Sequence, residues 1–340
     1  LVYIEQSSGV DLIPISLNFP KDSFLLGEQV MANYALKNIG TKSLSANNRN
    51  AIHFSADTVF NGGTDYLLNY KDEITLIAPG DTLYRSMNGI VKDATPNNYN
   101  GILRLNTTAS YPEATIANNN LIEENIHIDA EEITINTTYL KHIKFGDYLY
   151  YKLTAPANQD MVVNVKKING AGQNTITACY NIVPNAGNAQ FIADDGTKPN
   201  QTLLVPGTQA GTYYLLIQNK VPSVDSQLIE IKAELLPLTI LSIENNECGQ
   251  GIVTTTLKGA SFRDTSIVQL RQGNIVFASA TNVDYKHSMQ MDIRWDFTNV
   301  PIGVYDVVIK NGADSAVLAN GLEVELAQAY EIQIEKVAEG

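Results

Sequence analysis
Apolar and polar residues alternate with period two along most of this chain. The runs are short and bounded by Gly, Pro, Asn or Asp, a pattern that predicts half-buried β-strands joined by turns. The most regular run is Gly211-Thr-Tyr-Tyr-Leu-Leu-Ile-Gln-Asn219, and it recurs as Gly303-Val-Tyr-Asp-Val-Val-Ile-Lys-Asn311 with Gly, Tyr and Asn at the same offsets. A looser copy, Tyr99-Asn-Gly101-Ile-Leu-Arg-Leu-Asn106, carries its tyrosine ahead of the glycine. In each copy, Gly admits the swing of backbone into the strand, alternate apolar residues share one face, and Asn closes the run. The glycines lie 110 and 92 residues apart, about the length of one β-sandwich domain. The expected fold is therefore all-β, with three tandem β-sandwich domains. Tyr213 and Tyr305 are expected as core anchors.

In chain order, residues 1–9 read as the end of a preceding segment and residues 10–130 as the first unit. Asp11-Leu12, Gly27-Glu-Gln-Val30, Lys37-Asn-Ile-Gly40, His53-Phe-Ser-Ala-Asp57, Ala78-Pro-Gly-Asp81, Gly101-Ile-Leu-Arg-Leu105 and Glu113 followed by Asn118-Asn-Asn120 occur in that order. The order resembles the CARDB family, immunoglobulin-like adhesion-related modules of bacterial surface proteins. Residues 131–236 run from Phe145-Gly-Asp-Tyr148-Leu-Tyr-Tyr-Lys152 through Met161-Val-Val-Asn-Val165 and Cys179-Tyr180 to the repeated motif. They resemble a PPC-type domain, a jelly-roll-like sandwich found beside secreted bacterial peptidases.

Residues 237–326 hold Leu257-Lys-Gly-Ala-Ser-Phe262 and Pro301-Ile-Gly-Val-Tyr-Asp-Val307. They resemble an IPT/TIG domain with an immunoglobulin-like fold. One departure is Asn245-Asn-Glu-Cys248-Gly, which stands where that family has a Pro-Gly-like element after its first strand. Residues 327–340, with the alternating Tyr330-Glu-Ile-Gln-Ile334, read as a tail or the start of the next segment.

Composition changes this picture little. The length of 340 residues accommodates two or three domains. The net charge of −13 argues against binding nucleic acid or an anionic membrane surface. No apolar run reaches the roughly 18 residues needed to span a bilayer, so no membrane insertion is expected in this segment. The two cysteines, Cys179 and Cys248, fall in different units and fix no redox compartment. The first residues, Leu1-Val-Tyr-Ile-Glu5, open inside a strand-like run, and the chain reads as part of a longer protein.

Candidate chemistry is sparse. The four histidines, His53, His127, His142 and His287, are scattered singly, and no nucleophile motif or metal-ligand spacing accompanies them. The best candidate is the loop from Asp57 to Asp65, where Asp57, Asn61 and Asp65 offer oxygens suited to calcium. Three oxygens fall short of the six to eight that calcium takes, and the competing reading is a plain Asx-rich turn. Asp194-Asp-Gly196 and Asn118-Asn-Asn120 read first as turns. Trp295, Phe297, Met289 and Met291 alternate as a strand and are expected to pack in a core. Tyr148, Tyr150, Tyr151 and Tyr214 stand as candidates to stack on sugars or partners, and equally as fillers of sandwich edges. Asn-x-Thr triplets at Asn106, Asn136 and Asn200 match the N-glycosylation pattern, and Asp57-Thr-Val, Asp81-Thr-Leu and Asp314-Ser-Ala look like O-glycosylation acceptors of exported Bacteroidota proteins.

The expected function is that of a non-enzymatic, extracellular or cell-surface segment of a large exported bacterial protein, a stalk or an adhesive, partner-binding module. Its expected partners are other domains of the same chain and a surface protein or glycan ligand; no cofactor is expected beyond calcium at the Asp57 loop. The joints near 129–137 and 235–240 hold no Gly/Ser-rich stretch, which predicts a fairly rigid rod. The alternative is a set of accessory domains of a secreted peptidase, or the shell of a large polymorphic toxin.

Overall fold
The structure, a computed structural model, describes residues 9–113, 115–170, 172–193, 198–222 and 226–326. Among them every regular element is a strand, and the strands form six sheets that pair as three β-sandwiches in series. In the first, Leu12–Asn18, Gln29–Asn38 and Thr82–Ile90 form a three-stranded sheet in that order. Opposite it, Ser23–Leu25, Asn120–Asp129, Asn97–Arg104, Asn48–Ser55 and Tyr66–Glu73 form a five-stranded one. Alternation decides which side chains face inward. From Gln29 to Tyr34 every second residue, Val30, Ala32 and Tyr34, is buried against Phe24, Phe54, Ile126 and Ile128.

The second sandwich has Thr138–Ile143, Gln227–Leu236, Asp160–Asn169 and Gln201–Val205 in one sheet. Phe191–Ile192, Asn174–Tyr180, Gly211–Asn219, Tyr148–Ala155 and Glu131–Glu132 make the other. In the third, Thr239–Glu244, Ile252–Ala260, Gln290–Asp296 and Asn282–His287 face Glu247–Gly249, Asp314–Glu325, Gly303–Asn311, Ile267–Gln272 and Ile275–Ser279. Its core holds Trp295, Phe297, Met291, Tyr305, Val307 and Ile309. The Trp295 indole N–H meets the Thr255 hydroxyl at 2.9 Å, which satisfies the one polar atom of the largest buried side chain.

The first and third sandwiches share a device. Each opens with a strand antiparallel to the next, Leu12–Asn18 on Gln29–Asn38 and Thr239–Glu244 on Ile252–Ala260, and each of these pairs carries a register shift. The chain then crosses to the opposite sheet and runs parallel to the last strand, as Ser23–Leu25 beside His127 to Asp129 and Glu247–Gly249 beside Glu323 to Glu325. The crossing lets one stretch of chain supply an edge strand to each of the two sheets. In the third sandwich the crossing uses Asn245, at φ 56°. Asn tolerates that left-handed conformation better than most residues, and its carbonyl receives the Cys248 thiol at 3.0 Å. Cys248 and Cys179 are both free and buried, and burial pushes both thiols up in pKa.

By contacts the chain divides into two compact units. One gathers the described residues of 1–154, 164–203 and 212–231, and the other those of 155–163, 204–211 and 232–340. Each unit therefore contains one joint between consecutive sandwiches.

Candidate functional site
In the Asp57 loop the carboxylates of Asp57 and Asp65 meet through Ser55, while Asn61 joins them by its backbone N–H and not by its side-chain oxygen. The Ser55 hydroxyl donates to Asp65 Oδ1 at 2.8 Å and lies 3.4 Å from Asp57 Oδ1. Asp57 Oδ1 accepts the Val59 N–H at 2.7 Å, Asp65 Oδ2 accepts the Asn61 N–H at 2.8 Å, and Asn61 Oδ1 accepts the Gly63 N–H at 3.0 Å. Each side chain closes a turn of its own loop, the arrangement in which Asx residues stabilise tight turns. Among the described residues no group of three or more His, Cys, Asp and Glu stands close enough to hold a metal ion.

Within that loop the Phe60 ring lies near the His53 ring, at 4.7 Å, and the Arg104 guanidinium, at 3.4 Å. Burial lowers the His53 pKa to about 4; the Arg104 charge adds to the shift and Asp65 opposes it. The other histidines stand apart from it and from each other. His127 Nδ1 bonds Asn98 at 2.9 Å, His142 Nδ1 lies 3.3 Å from the Ser226 hydroxyl, and His287 Nδ1 accepts the Met289 N–H at 3.3 Å.

The tyrosine candidates divide. Tyr150 and Tyr151 are 2% and 1% exposed and stand in cores, while Tyr148 and Tyr214 are half-buried. The alternation that placed Tyr148 and Tyr150 on one strand face did not reveal that this face abuts the first sandwich. The Tyr150 ring, with Val183 and Leu216, belongs to the same buried cluster as Phe24, Leu26 and Val91. Its hydroxyl reaches Asp93 at 3.4 Å, and the Lys92 ammonium sits 5.5 Å from the centre of the Tyr148 ring.

Gly27 completes this joint. It holds φ at +86°, and a Cβ there would lie 1.9 Å from the Tyr148 carbonyl oxygen, so only glycine lets the backbones approach this closely. The linker itself is structured. Glu131–Glu132 pairs in parallel with Tyr151 and Lys152, and the Lys152 ammonium meets Asp129 at 2.6 Å.

The next joint is built around Asp160, which is fully buried. Its Oδ1 accepts the Gly207 N–H at 2.7 Å and its Oδ2 accepts the Ser261 N–H at 2.6 Å. The Ser261 hydroxyl donates to the Leu236 carbonyl at 2.8 Å, and the Ser261 carbonyl receives the Asn311 side-chain amide at 2.7 Å. Asn311, the closing Asn of the repeated motif, thereby ties the late strand to the joint. Sequence reading gave Asp160 no role, because its partners lie 47 and 101 residues away.

Asn118 and Asn119, read as turn residues, belong to a clasp. Glu113 accepts the Leu12 N–H at 2.9 Å and the side-chain amides of Asn106 and Asn119, both at 2.8 Å. Asn118 bonds Asp11 at 3.0 Å. The Asn106 side chain is buried and committed to this clasp. Asp194-Asp-Gly196, the run from Leu1 to Glu5 and the tail at Tyr330 to Ile334 lie outside the described residues.

No known protein family matches the sequence, and no curated protein matches it. Among solved structures, the chain is similar to the pre-peptidase C-terminal domain of collagenase from Bacillus anthracis at 17% identity, over 31% of this chain and 94% of that one, with a TM-score of 0.26. It is similar to the CARDB domain of the PF1109 protein from Pyrococcus furiosus, solved with di-metal ions, at 12% identity over 35% of this chain and 93% of that one, TM-score 0.27. It is also similar to SGBP-B of the Bacteroides ovatus mixed-linkage glucan utilization locus, solved with a heptasaccharide, at 11% identity over 93% and 70%, TM-score 0.26. At such scores a function rests on this chain's own residues.

Proposed function
We propose that this chain is a non-catalytic segment of an exported bacterial surface protein, whose coupled sandwiches hold a partner-binding surface at a set position. The observation that carries the reading is the joint at Gly27. Domain pairs in one chain move relative to each other by default unless their interface is large and apolar. Here Tyr150, Val183 and Leu216 share a buried cluster with the first sandwich, and the connecting residues form a strand. A segment of this kind acts by geometry, transmitting position and force through packed side chains. The surface location is supported by the sequence resemblance to CARDB and PPC modules, and the likeness of residues 237–326 to an IPT/TIG domain by their Gly-x-Tyr-Asp-Val ending.

Hydrogen exchange on the full chain tests the coupling. The amides of Phe24 to Gly27 and of Tyr148 to Leu153 are expected to open together, and Gly27→Ala is expected to raise exchange in both. If Gly27→Ala leaves the Tyr148 to Leu153 amides unchanged, the joint is not coupled and the reading falls.

A further inference from the structure
We infer that the outer face of the three-stranded sheet of the first sandwich is a binding platform for neutral polysaccharide, centred on Tyr84. The inference rests on the reading of the chain as a partner-binding surface segment and gives that surface a place and a ligand class. The strand register sets out two rows across the sheet. Asn18 stands opposite Asn33, which stands opposite Ser86; two residues along, Ser16 stands opposite Ala35, which stands opposite Tyr84. Neighbouring strands are about 4.8 Å apart and residues two apart on one strand about 6.7 Å, so all six side chains fall within the footprint of one or two sugar rings.

The Tyr84 side chain is 75% exposed, although a large apolar ring on a sheet is ordinarily covered. Beside the ring lies a shallow depression of about 480 Å³, lined also by Ser16, Asn18, Asn33, Tyr34, Arg85 and Ser86. The amides of Asn18 and Asn33 and the hydroxyls of Ser16 and Ser86 line this depression, and among the described residues they have no hydrogen-bond partner. Arg85, the cation that lines the depression, is engaged with other groups. Its guanidinium is committed to Glu73, to the Thr75 hydroxyl at 3.0 Å and to the Tyr84 carbonyl at 2.9 Å. The platform thus combines one open aromatic face with uncharged donors and acceptors and a guanidinium already paired with Glu73.

A pyranose has the complementary surface, an apolar C–H face to lie on the ring and hydroxyls at its rim to meet amides and hydroxyls. An anionic glycan meets a chain with a net charge of −13. A peptide strand would need an open backbone edge. On Thr82–Ile90 two carbonyls of that edge are already approached by side chains, Asn88 by Asn69 at 2.5 Å and Ser86 by Lys71 at 3.5 Å.

Affinity electrophoresis of the full chain in gels containing β-glucan, α-glucan, mannan or, as the charged control, alginate tests the proposal. At least one neutral polymer is expected to retard the chain, and alginate is not. Tyr84→Ala is expected to weaken that binding roughly tenfold, the loss of one stacking platform, and Asn33→Ala by a few-fold. Both residues are exposed, so the thermal midpoint should stay in place and report that the variants are folded. Migration unaffected by every neutral polymer, or retardation that survives Tyr84→Ala, overturns the platform. Neither result touches the coupling of the sandwiches, which hydrogen exchange at the Gly27 joint reads separately.

Discussion

The Tyr305 hydroxyl donates a 2.7 Å hydrogen bond to the carbonyl of Pro301, four residues upstream. The Tyr99 hydroxyl donates to Thr95, also four residues upstream, at 2.5 Å. One tyrosine follows the motif's glycine and the other precedes it, yet both pin the corner from which a late strand starts, as tyrosine corners do in β-sandwiches. Burial pushes both hydroxyls up in pKa, so they stay protonated and donate.

Replacing either with phenylalanine keeps the ring's apolar area and removes only the bond. Tyr305→Phe and Tyr99→Phe are each expected to lower stability by about 1 kcal/mol, the net worth of a typical intramolecular hydrogen bond. Urea unfolding followed by circular dichroism, and for Tyr305→Phe by Trp295 fluorescence, measures the loss. A midpoint equal to that of the parent chain would show that water replaces the bond at no cost.

Asp160 offers a larger effect. Asp160→Ala strands two N–H groups, Gly207 and Ser261, in a site where the carboxylate is fully buried. The expected cost is about 3 kcal/mol, because each orphaned buried donor forfeits its desolvation. Asp160→Asn keeps one acceptor oxygen but turns its amide toward a second donor, so it should recover roughly half. Equal stability of the two variants would mean that side-chain volume, and not the pair of bonds, fixes this joint.

Glu113 holds the first strand by three donors, and its removal should act locally. Glu113→Ala frees the Leu12 N–H and the amides of Asn106 and Asn119. A loss of about 2 kcal/mol is expected, with faster exchange at Leu12 and at the amides near Asn119. Glu113→Gln should preserve part of the protection; if exchange at Leu12 is unchanged in Glu113→Ala, the clasp has no part in holding the strand.

Much of this was legible in the residues themselves. The alternation of Val30, Ala32 and Tyr34, or of Tyr305, Val307 and Ile309, identified inner faces because strand geometry enforces period two whatever the tertiary setting. Glu113 and Asn118-Asn-Asn120 stood out only as part of a resemblance and as a turn; the clasp they form was not legible, because its partners at Asp11, Leu12 and Asn106 are brought together by the fold. For Tyr150 the sequence leaves stacking and sandwich packing both open, because a period-two pattern names a face without saying what covers it, and here the cover comes from Phe24, Leu26 and Val91 of another sandwich. Asp160 was invisible, since an isolated acid between apolar runs looks like a turn until the chain brings Ser261 to it. Tyr84 has no role in the sequence reading for the opposite reason: alternation does not say which outer-face ring stays uncovered, and this one is 75% exposed.

Acid should unfold the first sandwich in two stages. His53 is buried, and its pKa in the folded chain, about 4, lies below the ordinary 6.5. Between those values the unfolded state binds a proton that the folded state refuses, so stability falls as pH drops from about 6.5 to about 4. Glu73, held by Arg85, is depressed from 4.5 to about 2. Its contribution is complete above about 4.5 and is lost as pH falls through the folded value, on the order of 2 kcal/mol after allowing for solvent screening. His53→Phe removes the upper stage and leaves the lower one, while Glu73→Gln does the reverse. Urea midpoints measured at intervals from pH 7 to pH 3 separate them. A His53→Phe curve that still declines between pH 6.5 and 5 would place the upper stage on another group.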